Sequence, residues 1–372
     1  MEQSSKIIDV TFELVKAGLW NHEVQLSPYS PIDYSAIYQL ANDQSVVGLV
    51  AAGLEHVTDV KVLKQDALPF MKKVFSIESR NASMNLFIEE LIGKMRAVGI
   101  YALIVKGQGV GQCYERPQWR SAGDVDLFFD DVHYKKAKEY LIPLSASSEP
   151  EGAYNKHLGM SLDQWTVELH GTLRCGFSFR VDKELDEIQK DTFMKGSVRT
   201  WRNGNTDVFL PGPDNDILII FTHIIKHFYK GGVGLRQICD WCRLLWTYRE
   251  SINQCLLNKR LISMRLTSEW KAFGAFAVEY LGMPIVAMPF YDPSKKWKRK
   301  ANRIKSFVMR VGNLGHNRDK RYFRYPYIVR KTISLCRRVG DLWQHAFIFP
   351  VESLRFFPAI VYNGLRSAVK GE

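Results

Sequence analysis

Apolar side chains recur every three to four positions through the first hundred residues, and after that they alternate. Ile7, Ile8, Val10, Phe12, Leu14 and Val15 keep a spacing near 3.6 and predict a helix. Asp33 to Leu40 predicts a second, its start marked by Pro31, and Val46 to His56 a third. Asn81 to Val98 is the clearest, with Met84, Phe87, Leu91 and Met95 on one face. These segments read as a small bundle.

The pattern changes at Gly99. Tyr101-Ala102-Leu103-Ile104-Val105 is rich in β formers, ends at Lys106-Gly107 and reads as a buried strand. Asp124 to Asp130 reads as a second strand, His133 to Leu141 as a helix, and Leu158–Asp163 and Trp165–His170 as further strands. That order predicts an α/β layer. Beyond Pro211-Gly212-Pro213-Asp214, helices return over Asp216–Tyr229 and Leu235–Tyr248, and Pro284, Pro289 and Pro293 close the region. The predicted fold class is therefore α+β, a mixed-sheet core flanked by helical N-terminal and C-terminal regions. The predicted divisions are 1–98 (helical), 99–213 (sheet core), 214–292 (helical) and 293–372 (basic, aromatic-rich).

Composition adds two constraints. The chain has 372 residues, 46% hydrophobic and 24% charged, which excludes a disordered chain, a collagen-like fibre and a small disulfide-stapled scaffold. Charge is distributed unevenly. From Pro293 to Glu372 there are 19 Lys/Arg against 4 Asp/Glu, a net of +15, whereas the other 292 residues carry 32 against 35, a net of −3. Six cysteines give no disulfide density, the N-terminus lacks a secretory apolar core, and no run of 18 uncharged apolar residues occurs. A reduced cytoplasmic protein is expected.

The tail admits two readings. Lys295–Lys300 and Arg318–Arg338 mix basic and aromatic residues, and Val339–Val369 is apolar with Trp343, Phe347, Phe349, Phe356 and Phe357. An interfacial helix on the anionic inner face of a membrane accounts for both parts. The other reading is a helical subdomain with solvated charges. Nucleic acid is the less favoured partner.

Candidate chemistry centres on Gly123-Asp124-Val125-Asp126-Leu127. Two acids two residues apart on a strand share a face, with Cα atoms about 7 Å apart, and suit hard cations such as Mg2+. Seventeen residues before Asp124, Lys106-Gly107 ends a strand where a turn into a helix could receive a phosphate. Glu168, in Thr166-Val167-Glu168-Leu169-His170, adds a third acid, or else faces solvent. Three carboxylates on neighbouring strands facing a glycine turn describe a two-metal phosphoryl-transfer site.

Other features read more plainly. Cys239 and Cys242 are packing cysteines, since no second pair stands at zinc-finger distance. His223 and His227 lie one helical turn apart and lack the Glu of a zinc-protease helix, Ile224 taking its place; they read as a polar face near the active site. Arg236 and Asp240 read as an ion pair, and His170 as structural. Gly107-Gln108-Gly109 fails the dinucleotide fingerprint, because Gln112 stands at the third glycine's position.

The ordered set Leu103-Ile104-Val105-Lys106-Gly107, Tyr114, Pro117, Arg120, Gly123-Asp124-Val125-Asp126-Leu127, His157, Val167-Glu168-Leu169-His170, His223, His227, Leu235-Arg236 and Asp240 spans roughly residues 30–250. It resembles the uncharacterised bacterial nucleotidyltransferase-like family, within the DNA polymerase β-type nucleotidyltransferase superfamily. The resemblance implies a nucleotidyltransferase core with Asp124 and Asp126 as metal ligands and Glu168 as the third carboxylate, able to take the acceptor proton. Lys106-Gly107 would replace the superfamily's glycine–serine turn, although Gln108 stands where the serine belongs. Lys106, Gly107, Arg120 and Gly123 form the nucleotide-binding set; Arg120 reads equally as a partner of Asp124 or Asp126. The implied activity is Mg2+- or Mn2+-dependent transfer of a nucleoside monophosphate from a nucleoside triphosphate to an unidentified acceptor hydroxyl. Its rivals are a non-catalytic nucleotide-binding relative and a membrane-associated accessory protein of surface-polysaccharide assembly.

Overall fold

The computed structural model describes residues 2–151, 156–312, 324–356 and 358. Parts of the tail segments named above, residues 318–323, Phe357 and 359–369, lie outside them. Helices α1 (Glu2–Trp20), α2 (Tyr34–Asp43), α3 (Val47–Leu54) and α4 (Lys64–Ala97) open the chain. Gly18 and Gly53 let α1 and α3 meet backbone to backbone: a Cβ on either would lie 2.0 Å from the carbonyl oxygen of Leu49 or Leu14. Helix α4 starts at Lys64, well before the predicted Asn81, because Phe70, Val74 and Ile77 extend the buried stripe of Met84, Ile88 and Met95.

A seven-stranded mixed sheet follows: β1 (Leu103–Val105), β2 (Asp124–Phe128), β3 (Ser147–Ser148), β4 (His157–Leu162), β5 (Trp165–His170), β6 (Val198–Asn203) and β7 (Thr206–Pro211), in the order β3-β4-β5-β2-β1-β7-β6. β2–β5 and β1–β7 are parallel, and the other pairs are antiparallel. Helices α5 (Gly107–Gly111), α6 (Asp131–Leu141) and α7 (Phe179–Met194) interleave with the strands. The expected α/β layer is thus only partly formed, since β4 and β5 are a hairpin closed at Asp163. The β6–β7 hairpin and α7 were not anticipated from the periodicity.

After the sheet come α8 (Pro213–Lys230), α9 (Leu235–Tyr248), α10 (Gln254–Met264), α11 (Thr267–Leu281), α12 (Lys295–Val311) and α13 (Tyr327–Ile348), then a helical turn over 350–356. No helix among the described residues is long and apolar enough to cross a membrane.

Strand alternation decides which face carries chemistry. Val125, Leu127, Val167 and Leu169 pack with Met84, Ile88, Ile92 and Met95 of α4 and Tyr134, Ala137 and Leu141 of α6. Asp124, Asp126, Glu168 and His170 therefore point to the opposite face, the one that meets α8 and α9. A one-residue slip in β2 or β5 would bury acids under α4, so the apolar face fixes the register of the site.

Candidate active site

Parallel pairing sets Asp126 beside Glu168, and antiparallel pairing sets Asp126 beside Val105 and Glu168 beside Gly159. Asp124, Asp126 and Glu168 each offer one oxygen within 4.8 Å of the other two. Asp126 is buried, while Asp124 and Glu168 are half-buried. Burial first, then repulsion from Asp126 and Glu168, pushes the Asp124 carboxyl up. Asp126 moves the other way. Burial alone would raise it, but Lys106 and His170 outweigh burial and hold it low. Lys106 Nζ lies 2.8 Å and His170 Nε2 2.7 Å from the same oxygen, Asp126 Oδ1. Hydrogen bonds from His157, 3.0 Å away, and from His170 hold Glu168 far below the usual carboxylate range.

Lys106 reaches Asp126 from an unusual backbone. It adopts φ 58° directly after β1, and Gly107 follows at φ 38°, so the chain turns sharply and returns the lysine over the sheet. Burial alone would lower the lysine's pKa; Asp126 foremost, then Glu168 and Asp124, raise it instead.

The facing wall comes from α8 and α9. Thr222, His223, Lys226, His227 and Arg236 join the acids around a cavity of about 390 Å³. His223 and His227 have ring centroids 4.3 Å apart. Burial, reinforced by Lys106 and Lys226, depresses both, His227 to about 3, so both imidazoles are neutral at neutral pH. Burial, then Lys106, also lowers Lys226, which has no acid within ion-pair distance among the described residues. Arg236 donates to the Ser121 carbonyl at 2.6 Å, and its Nε is buried without a hydrogen-bond partner. An anionic sheet wall thus faces a wall of cations and neutral imidazoles. Oxygen donors at this spacing suit Mg2+ or Mn2+, and the opposite wall suits phosphate oxygens.

A model of the family described as uncharacterised nucleotidyltransferase matches residues 30–282. The chain belongs to that family. The match contains every residue named in the site. The chain is 13% identical to a protein solved as a crystal structure of an antigenic nucleotidyltransferase-like protein from Paracoccidioides brasiliensis, the match covering 54% of this chain and 93% of that one with a TM-score of 0.32. No curated protein matches the chain.

Within this nucleotidyltransferase-family chain the fold brings together Asp124, Asp126, Glu168, Lys106, Gly107 and Gly123. Arg120 borders the same cavity but is otherwise engaged. It forms a buried two-pronged pair with Asp240 at 2.7 and 2.8 Å, its ion-pair partner among the described residues in place of Asp124 or Asp126. The expected Arg236–Asp240 pair is corrected with it, because Arg120 takes the carboxylate. His170 is not remote structure but a site residue, since its even spacing from Glu168 puts both on one strand face. Gln108, in the serine's place, is buried and donates to Asn85 of α4 at 2.9 Å, away from the cavity. Helix α5 is only five residues long, a single turn. Cys239 and Cys242 are buried in the helical core.

Two site participants, and one hairpin of the sheet, had no assigned role in the sequence. Lys226 lies one position before His227 and could have been found by extending the polar face of α8 past the histidines. His157 opens β4, where antiparallel pairing sets it beside His170. Gly204-Asn205 between two alternating runs is a hairpin signal that locates β6 and β7.

Proposed function

We propose that the chain transfers a nucleoside monophosphate from a nucleoside triphosphate to an acceptor hydroxyl, with Asp124, Asp126 and Glu168 holding Mg2+ or Mn2+. The observation that carries this reading is the convergence of three carboxylate oxygens within 4.8 Å, opposite a wall bearing Lys226 and Arg236. In the reaction the acceptor oxygen bonds to the α-phosphorus, the bond to the bridging oxygen breaks, and pyrophosphate leaves. The cation would neutralise charge developing on the α-phosphate and pyrophosphate and lower the acceptor hydroxyl's pKa. Lys106 keeps Asp126 ionised and oriented. Glu168, held ionised by hydrogen bonds from His157 and His170, would be a ligand positioned to take the hydroxyl proton on its way to solvent.

Lys226 and Arg236 meet the phosphates, and their depressed pKa values reflect burial that a bound anion would relieve. Arg120 positions α9 through Asp240. A Cβ at Gly123 would meet no atom within 4 Å, so the nucleotide approaches across open backbone there. Membership of the DNA polymerase β-type superfamily, with bacterial relatives, belongs to this same reading.

A peripheral site at the inner membrane face is favoured by a specific surface. Trp343 is 81% exposed, Phe347 64%, Val351 62% and Leu354 72%, a stripe along α13 and the turn after it. Beside it, α12 has no acidic residue and exposes Lys295, Lys296, Lys298, Arg299, Arg303 and Arg310. Apolar side chains flanked by cations match an anionic bilayer surface.

Calorimetric titration of the four nucleoside triphosphates in Mg2+ tests the nucleotide site. At least one should bind, and Lys226→Met should weaken it about tenfold or more, the loss of a charged contact. No binding of any nucleotide would contradict the reading.

A further inference from the structure

Glu168 faces two donor sets at once. One is the oxygen set of Asp124 and Asp126. The other is imidazole: His157 Nε2 lies 3.0 Å and His170 Nε2 3.5 Å from Glu168 Oε2. His157 and His170 are register partners across β4 and β5, and Glu168 lies two residues before His170, so all three side chains leave the sheet on one face. Their ring centroids are 4.9 Å apart, and the three donor atoms lie within 4.8 Å of one another. All three side chains are part-open to the cavity, at 35% for His157, 28% for Glu168 and 16% for His170, so an ion has a way in.

The spacing is that of ligands. Donors bound ~2.0–2.1 Å from one ion are held ~3.3 Å apart in tetrahedral geometry and ~2.9 Å apart along an octahedral edge. The observed 3.0 and 3.5 Å lie within about 0.2 Å of these values, so an ion could replace the protons now shared among these groups with small side-chain movement. Donor chemistry then selects the ion. Mg2+ takes oxygen and dehydrates reluctantly, whereas imidazole suits later divalent ions, and two histidines with one glutamate can hold zinc. His170 Nε2 also lies 2.7 Å from Asp126 Oδ1, so an ion bound there would displace that hydrogen bond as well.

We infer that His157, Glu168 and His170 form a second cation position, shared with the carboxylate set through Glu168 and selective for an ion of the Zn2+ or Co2+ class over Mg2+. The inference rests on the proposed function only in treating this cavity as a cation-binding centre. It implies an unlike pair of positions, one built of oxygen and one of nitrogen and oxygen.

The test uses the full chain stripped of metal and titrated with Co2+, followed by its visible absorption. One Co2+ per chain should bind with a band typical of imidazole ligation, and a large molar excess of Mg2+ should not displace it. His157→Ala and His157→Asn should each weaken Co2+ about tenfold or more, with unchanged circular dichroism, while Asp124→Asn should retain it. Displacement by Mg2+ would overturn the inference. So would undiminished binding in both folded His157 variants, or a loss in Asp124→Asn equal to theirs. Nucleotide binding in Mg2+ is measured on the same samples. A wild-type chain that holds Co2+ but no nucleotide would sink the nucleotidyl-transfer reading and leave this one standing; the reverse pattern would do the opposite.

Discussion

Replacing Asp240 by Ala should destabilise the fold far more than it alters chemistry. The Arg120 side chain is 4% exposed and that of Asp240 7%. Their two hydrogen bonds, at 2.7 and 2.8 Å, form a fork on a fork, and the Tyr114 hydroxyl donates to the same Asp240 oxygen at 2.7 Å. Removing the carboxylate leaves a buried guanidinium uncompensated, at a cost of ~3–5 kcal/mol, and strips Tyr114 of its acceptor. The two effects overlap, so a loss of about 4 kcal/mol is expected, read by urea unfolding at pH 7. The double variant Arg120→Met with Asp240→Leu should recover most of it, because a buried ion pair and an apolar pair of similar volume are nearly equivalent. A loss below ~1 kcal/mol in Asp240→Ala would refute the reasoning. So would an Arg120→Met variant of unchanged stability with nucleotide affinity reduced tenfold, which would return Arg120 to the phosphates.

Three further outcomes follow from the same geometry. Asp124→Asn should abolish transfer yet leave the melting temperature equal or higher, because the Asp124 charge is disfavoured by burial and by Asp126 and Glu168; full Mg2+-dependent turnover would refute its role. Glu269, fully buried on α11 with Tyr229 donating to it, has its carboxyl pushed up to about 8 by burial, then by Glu352. A raised folded pKa means its contribution is complete below the unfolded value of ~4.3 and is lost as pH rises through about 8. Glu269→Gln should therefore gain on wild type across that window, approaching ~5 kcal/mol at its upper end, and equal pH–stability curves would contradict this. Replacing both Trp343 and Phe347 by Ser should reduce co-sedimentation with anionic vesicles and leave the melting temperature within about 1 °C, since these side chains are mostly exposed. Unchanged vesicle binding would remove the membrane reading.

The acids were legible because strand alternation is local. Asp124, Asp126 and Glu168 sit between apolar neighbours whose burial dictates the opposite face, so the sequence alone places three carboxylates on one side of a sheet. Their pairing across β2 and β5 follows once the strands are neighbours. The cationic wall was harder. Lys226 and Arg236 enter the site only because α8 and α9 cross that sheet face, a tertiary arrangement no short spacing encodes. Arg120 shows the converse. Its place between Gly107 and Asp124 suggests a phosphate contact, yet Asp240, 120 residues away in sequence, takes its guanidinium. Helix α7 is masked in the sequence although Val181, Leu185 and Ile188 keep a helical spacing, because charged residues fill the gaps between them. The C-terminal stripe was visible as an aromatic-rich run, and the structure adds which aromatics are exposed: Trp343 and Phe347 face outward, whereas Phe349 and Phe356 are buried.

The most direct test of nucleotidyl transfer is the fate of isotopically labelled phosphorus. The chain is incubated in Mg2+ with nucleoside triphosphates labelled at either the α- or the γ-phosphate, in the presence of a cell lysate as acceptor source. Label from the α-position should become attached to an acceptor, label from the γ-position should appear in pyrophosphate, and Asp126→Asn should do neither. Transfer of the γ-label to an acceptor, or undiminished α-label transfer by Asp126→Asn, would contradict the assignment.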